Sequence, residues 1–250
     1  MSWLASEINA LKMDYTLRVS KSPSRIDLET FVCNCIRLYK LSSCLGNDRV
    51  YSDNKPGDDA CVLAAMGLVR LSELEHKRYL LLSAQLLEFL LARSKHNYQA
   101  LLILVSVYLT LGTGSLAMKT YKRLAVKNLQ QETLSHTLFT RFATIHPHPA
   151  DMGFGPNTER KDKDPISALR AVLKAYKSSA RQVAVGKRLF LEKGRYSMLL
   201  GVLEIDDTMK RSLCKVMWVL ERRRMKRLIR ADDDEEYLDL LGNPNCPTLS

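Results

Sequence analysis

A recurrence of side-chain size at a shift of 34 positions limits this fold more than any other feature of the chain. Residues 98–129 read as two facing helices. Leu101, Leu104 and Tyr108 line the first, and Gly112 permits the turn. On the second, Ala117 is a small crossing residue, Tyr121 a large one a turn later, and Leu124 closes the layer. At the earlier register Leu74 stands for Tyr108, Ser83 for Ala117, Leu87 for Tyr121 and Leu90 for Leu124. Two antiparallel helices in about 34 residues, with small residues at the crossing and large ones in the gaps, are the unit of a tetratricopeptide repeat. The expectation is an all-α fold: a right-handed superhelix of tetratricopeptide-like antiparallel helix pairs, an α-α solenoid.

Composition agrees. Glycine (11) and proline (8) are scarce in 250 residues, against turn-rich sandwiches and barrels, and 46% hydrophobic with 26% charged residues suits a folded chain. The run Gln99–Leu111 is the most apolar, yet it falls short of the ~18 consecutive residues that cross a bilayer, so no membrane partner is expected. The opening residues have no basic region ahead of an apolar core and do not read as a secretory signal. Six cysteines without regular spacing are no disulfide framework. A reducing compartment, the cytoplasm, is expected.

Period-3.6 patterning places helices over about 2–18, 26–41, 58–75, 77–93, 97–112 and 114–125. Leu28, Phe31, Val32, Cys35, Leu38 and Tyr39 face inward on the second, and Leu82, Leu86, Leu87 and Leu90 on the fourth. Asp58-Asp59 and Asn97 are read as N-caps. A helix over 130–144 lined by Phe139 and Phe142 is followed by a loop, 146–163, holding three prolines and two glycines. Asp164-Pro165 then starts a helix over 166–180, followed by two short ones at 181–193 and 195–203. A long helix runs from Asp206-Asp207 to about Arg230, with Leu213, Met217, Leu220 and Leu228 as its stripe. The implied organisation is repeats over 1–145, an insertion at 146–163, a basic helical segment at 164–240 and a disordered tail at 241–250.

Charge is uneven. Between Arg160 and Arg230 stand 20 Lys/Arg against 7 Asp/Glu, a surplus of +13 that exceeds the +11 of the whole chain. The densest part holds Arg222, Arg223, Arg224, Lys226 and Arg227, with Lys215 a turn or two earlier. Arginines make bidentate contacts to phosphate, and a dense cluster releases counterions on binding. These six are therefore the candidate contacts to RNA or a ribosome. The rival reading is a solvated face neutralised within the chain by the acidic run Asp232–Glu236. Both stand open.

No reaction chemistry is found. The loop that binds the acetyl-CoA pyrophosphate needs Arg/Gln-x-x-Gly-x-Gly/Ala between a strand and a helix. Arg181–Gly186 comes nearest, but Ala184 replaces the middle glycine and no strand precedes it. His146-Pro147-His148 lacks further ligands for a tetrahedral set and reads as exposed loop. Cys33-x-Cys35 places Cys35 on an apolar face. No catalytic, cofactor-binding or metal residues are expected, and no cofactor.

An ordered series of segments resembles a known family: the non-catalytic subunit of the NatB N-terminal acetyltransferase complex, in its fungal form. It comprises Tyr51-Ser52-Asp53, Asp58-Asp59-Ala60-Cys61 and Leu63-Ala64-Ala65-Met66. Leu87-Glu88-Phe89-Leu90-Leu91 then leads to Ser94 and His96-Asn97-Tyr98-Gln99. Leu124, Val126-Lys127, Leu129-Gln130, Glu132-Thr133-Leu134 and His136 continue it, and Gly194-Arg195-Tyr196-Ser197 extends it more loosely. The likeness covers about residues 28–145 and, less tightly, 165–230, of a family whose members are several times longer. It implies a superhelix that cradles a GNAT-type catalytic subunit and helps bring it to translating ribosomes. That complex acetylates chains beginning Met-Asp, Met-Glu, Met-Asn or Met-Gln, with acetyl-CoA held by the catalytic partner. The chain itself would be a non-catalytic scaffold. The alternative is a stand-alone RNA- or protein-binding helical repeat.

Overall fold

The computed structural model describes residues 2–21, 23–45, 55, 57–127, 130–148 and 164–231. The Tyr51–Asp53 segment, most of the 46–57 and 146–163 loops, the acidic run Asp232–Glu236 and the tail lie outside them. Among the described residues all regular structure is helical, and no helix is long and apolar enough to cross a membrane. Two compact units form. The first comprises residues 1–112 and 119–124; the second comprises 113–118 and the described residues from Ala125 onward.

In the first unit, α1 (Ser2–Asp14) runs into a π-helical turn, Tyr15–Val19. There follow α2 (Arg25–Leu45), α3 (Asp58–Leu74), α4 (Arg78–Arg93) and α5 (Tyr98–Thr110). The third, fourth and fifth helices each pack on the one before, and α1 packs on α3. Links of three and four residues join α3 to α4 and α4 to α5, so these neighbours run antiparallel. The expected inward face of α2 is buried, with Leu28, Phe31 and Cys35 at 1% exposure or less, and Leu63, Leu68 and Leu71 of α3 meet it. Burial pushes the thiols of Cys35 and Cys61 up to about 12, as ordinary core cysteines.

Ser83 fills its small-residue position fully buried, and its hydroxyl donates to the Ala65 carbonyl at 3.1 Å. Leu87 and Leu90 are buried beside it. Two expectations fail here. Leu82 lies off the stripe Tyr79–Ser83–Leu87–Leu90 and is exposed, and Leu74, in the last turn of α3, is exposed where Tyr108 is buried. Asn97 caps α5 as read, accepting from the Ala100 amide at 3.0 Å, and Gly112 takes the left-handed turn at φ +77°. Asp58-Asp59 instead lie inside α3. Asp58 accepts from the Lys55 amide at 2.9 Å and Asp59 pairs with Lys12, so the two carboxylates hold what precedes the helix.

At Gly67 helices α2 and α3 approach closely: an added Cβ would stand 2.7 Å from Val32 Cγ2 and 3.3 Å from the Phe31 ring. Helix propensity favours Gly67→Ala by about 1 kcal/mol, whereas overpacking a stiff β-branched neighbour costs about 1–3 kcal/mol. Net destabilisation of up to about 2 kcal/mol in denaturant unfolding is expected. Adding Val32→Ala should restore part of it. Independent, additive losses would show that the two atoms do not conflict.

In the second unit the expected 130–144 helix is three short pieces: α7 (Gln130–Leu134), α8 (His136–Phe139) and α9 (Phe142–Ile145), the last two separated where Arg141 adopts φ +59°. The helix α6 (Gly114–Arg123) lies between the two stretches and is divided between the units. Asp164 caps α10 as read, accepting from Ile166 and Ser167 amides at 3.0 and 3.2 Å. However, α10 continues unbroken from Pro165 to Glu192, and the expected 206–230 helix is replaced by α11 (Tyr196–Lys210) and α12 (Leu213–Leu228). Asp206 and Asp207 sit near the end of α11, not at a start. Asp206 pairs with Lys187 and with Lys210 (2.8 Å), and Asp207 with Arg211 (3.1 Å).

His146, expected in an exposed loop, is buried over Gly114, with its ring against Phe142 and its Nε2 3.3 Å from the Ser115 hydroxyl. Burial, with a smaller contribution from His148, pulls its pKa below the ordinary 6.5. A depressed histidine is neutral in the fold and takes up a proton on unfolding. Its contribution is present above pH 6.5 and is lost as pH falls below that value toward the folded pKa. Acidification from pH 7 to 5 should lower the unfolding midpoint of this unit, followed by Trp218 fluorescence. His146→Gln should flatten that slope; an unchanged slope would remove His146 as its source.

Candidate functional site

The basic cluster lies on α12. Ser212 caps it, accepting from the Lys215 amide at 3.0 Å, which starts a fresh helix at Leu213 and ends α11 two residues earlier. Trp218, 1% exposed, packs on Phe139 at 5.7 Å and donates its indole N–H to the buried Ser135 hydroxyl at 3.0 Å. Glu221 accepts from the Ala143 amide at 2.9 Å. The buried face is thus Trp218, Val219 and Met225, while the expected inward stripe of Leu213, Met217, Leu220 and Leu228 faces outward. The helix is rotated from the sequence reading.

That rotation sorts the six candidate contacts. Arg222 and Lys226 are 2% and 4% exposed, on the inner face, and cannot meet a phosphate at the surface. Lys215 is half-buried; its ammonium donates to the Lys210 carbonyl at 3.3 Å, and burial lowers its pKa against the opposing pull of Glu132. Arg223 is half-buried, and Arg224 and Arg227 are exposed. These three line an open groove of about 430 Å³ with Leu220 and Leu228. Three forked guanidiniums between leucine walls suit a phosphate or carboxylate carried on an apolar body.

A node that the sequence reading left without a role fixes this face. Glu132 Oε2 accepts from Tyr176 Oη at 2.6 Å and from Ser212 Oγ at 2.7 Å, and the Glu132 carbonyl accepts from Cys214 Sγ at 3.5 Å. One carboxylate ties α7 to α10 and to the cap of α12. Burial first, then the bond to Glu132, keeps the Tyr176 phenol protonated well above its usual range. In the sequence Glu132 stands out only within the family-like segment, and Ser212, ahead of α12, is a residue of N-cap type without the Glu or Gln three positions on that would strengthen the signal.

The segment nearest an acetyl-CoA loop, Arg181–Gly186, lies inside α10, where its amides are committed to intrahelical bonds and are not available to a pyrophosphate.

A family model described as the N-acetyltransferase B complex (NatB) non catalytic subunit matches residues 2–245. The N-terminal acetyltransferase B complex subunit arm1 of Schizosaccharomyces pombe is 24% identical over 250 residues, covering 96% of this chain and 29% of that protein. The N-terminal acetyltransferase B complex subunit MDM20 of Saccharomyces cerevisiae is 29% identical over 148 residues, covering 59% of this chain and 17% of that protein. The chain therefore spans less than a third of the length of either relative.

Proposed function

Because the chain belongs to the family of non-catalytic NatB subunits, we propose that it works as a scaffold segment that holds a GNAT-type catalytic subunit. The catalytic partner supplies acetyl-CoA and the reaction, in the cytoplasm, on nascent chains beginning Met-Asp, Met-Glu, Met-Asn or Met-Gln. The family match over residues 2–245 carries this reading. The serial packing of α2 to α5, antiparallel from α3 onward, supports the finer form of it, a tetratricopeptide-like solenoid that offers surface and no reacting group. Co-purification with the catalytic subunit tests it. The complex should acetylate a Met-Asp peptide and the chain alone should not. Robust transfer by the chain alone, or failure to co-purify, would defeat it.

Ribosome contact is the second element, supported by the exposed Arg224 and Arg227 with Arg223 beside them. Replacing these three by alanine should weaken binding to ribosomal RNA and reduce the slope of log K against log salt by about 1 per arginine. Replacing the buried Arg222 is expected to act on folding. An unchanged slope in the triple variant would take RNA off this face and favour a protein-binding repeat.

A further inference from the structure

The second half of α10 and the whole of α11 form a helical hairpin in which nothing is buried. From Ala180 to Arg211 every residue is half-buried or exposed, although the stretch holds Val183, Phe190, Val202, Ile205 and Met209. The two helices are held together from within. Gly194 turns the chain at φ +65°, the Arg195 amide returns to the Phe190 carbonyl at 2.9 Å, and Lys187 pairs with Asp206. Beside this pair runs a groove of about 490 Å³ whose apolar wall is those five side chains and Gly186, with Gln130 and Gln182 among its polar lining. A pair of antiparallel helices that leaves an apolar furrow open is shaped to receive a third helix.

Two further observations point to what enters. Ser179, 5% exposed, lines the groove with a hydroxyl that has no hydrogen-bond partner among the described residues, a buried polar atom that a ligand would satisfy. No acidic side chain lines the groove, while Lys127 does, and the exposed Arg181, Lys193 and Arg195 take part in none of the described ion pairs. On the hairpin Glu192, Asp206 and Asp207 are each paired with a cation, which leaves Glu204 as the acid outside those pairs. The surplus around the groove is positive. RNA would leave the apolar walls facing water, and a second copy of this chain would bring like charges at the hairpin tips together.

We propose that this groove docks an amphipathic helix of the catalytic subunit, with an apolar ridge in the furrow and acidic residues toward Lys127, Arg181 and the hairpin tip. The proposal rests on the scaffold reading above and names where it acts. Gly186 allows a test that does not depend on weakening the fold. A Cβ there would meet only ordinary contacts, 3.8 Å from Phe190 and Val202, and leucine is the better helix former. Gly186→Leu should keep or raise helicity by circular dichroism while filling the furrow. With the purified GNAT-type catalytic subunit of the same cell as probe, its affinity should drop 30-fold or more. Ser179→Ala should cost up to about tenfold. Leu191→Gln, exposed and turned about 140° round the helix from Gly186, should change nothing. Hydrogen exchange of the wild-type chain should show new protection over residues 180–210 when the partner is added.

If the wild-type chain binds but Gly186→Leu binds within twofold and the hairpin gains no protection, the groove is not the docking site and the scaffold reading survives. Failure of the wild-type chain to bind takes down both. A dimer in sedimentation that Gly186→Leu abolishes would assign the groove to a second copy and overturn the proposal.

Discussion

Trp218→Ala is expected to destabilise the second unit by about 3–5 kcal/mol, the range for emptying a large aromatic site in a packed core. The indole is 1% exposed, lies against Phe139, and closes the contact of α12 with α8 and α9. Its removal leaves a cavity that three short helices are poorly able to refill, and it strands the Ser135 hydroxyl at 0% exposure. Trp218→Phe separates these causes: it keeps most of the volume and loses the N–H donor, for an expected cost of about 1–2 kcal/mol. Because the substitution removes the fluorescent reporter, the measurement is amide hydrogen exchange in α8, α9 and α12 under denaturant. A loss below about 1 kcal/mol for alanine would mean that α12 is not anchored by this side chain. Under the proposed ribosome contact, a large loss should also abolish RNA binding at the Arg223–Arg227 groove, since those guanidiniums are arrayed by the helix that Trp218 holds.

The helical class, the α3–α4–α5 succession and the inward face of α2 were legible because each repeats one signal over many residues. Asn97 and Asp164 were legible as caps because an isolated Asx before an apolar-periodic run has few other uses. Asp206-Asp207 shows where that rule fails. Acids near Lys210 and Arg211 are as well served by i,i+4 pairs at a helix end, and the decisive partner of Asp206 is Lys187, on another helix and invisible to local pattern. The unbroken α10 departs from the expected break at residue 180 for a related reason: the turn after it is marked by Gly194, and no Gly or Pro stands near residue 180.

The orientation of α12 was undetermined for a different physical reason. The helix carries two apolar stripes at helical spacing, one with Leu213, Met217 and Leu220, the other with Trp218, Val219 and Met225. Either can face a core by period alone. Polar satisfaction decides between them: only the second brings the indole N–H to Ser135 and the Glu221 carboxylate to the Ala143 amide. The same choice buries Arg222 and Lys226 and leaves Arg224 and Arg227 outside, so the list of candidate phosphate contacts depended on a long-range fact.

The Glu132 node makes the strongest prediction about that dependence. Glu132→Ala removes the acceptor shared by Tyr176 and Ser212, and the phenol of Tyr176, 4% exposed, is left without that acceptor. A stranded buried hydroxyl costs about 1–3 kcal/mol; with the loosened Ser212 cap the expected loss is about 2–4 kcal/mol. Glu132→Gln keeps an oxygen acceptor and should recover at least half of it. In a double-mutant cycle with Tyr176→Phe, the coupling should be about 1–2 kcal/mol, because alanine at 132 then strands nothing on the tyrosine side. Zero coupling would show that the carboxylate acts only through general packing. Under the proposed ribosome contact the functional consequence is the more telling readout: Ser212 caps α12, so Glu132→Ala should lower affinity for ribosomal RNA without touching an arginine. It would do so while leaving the salt slope of the remaining binding intact, since the number of phosphate contacts in the folded fraction is unchanged.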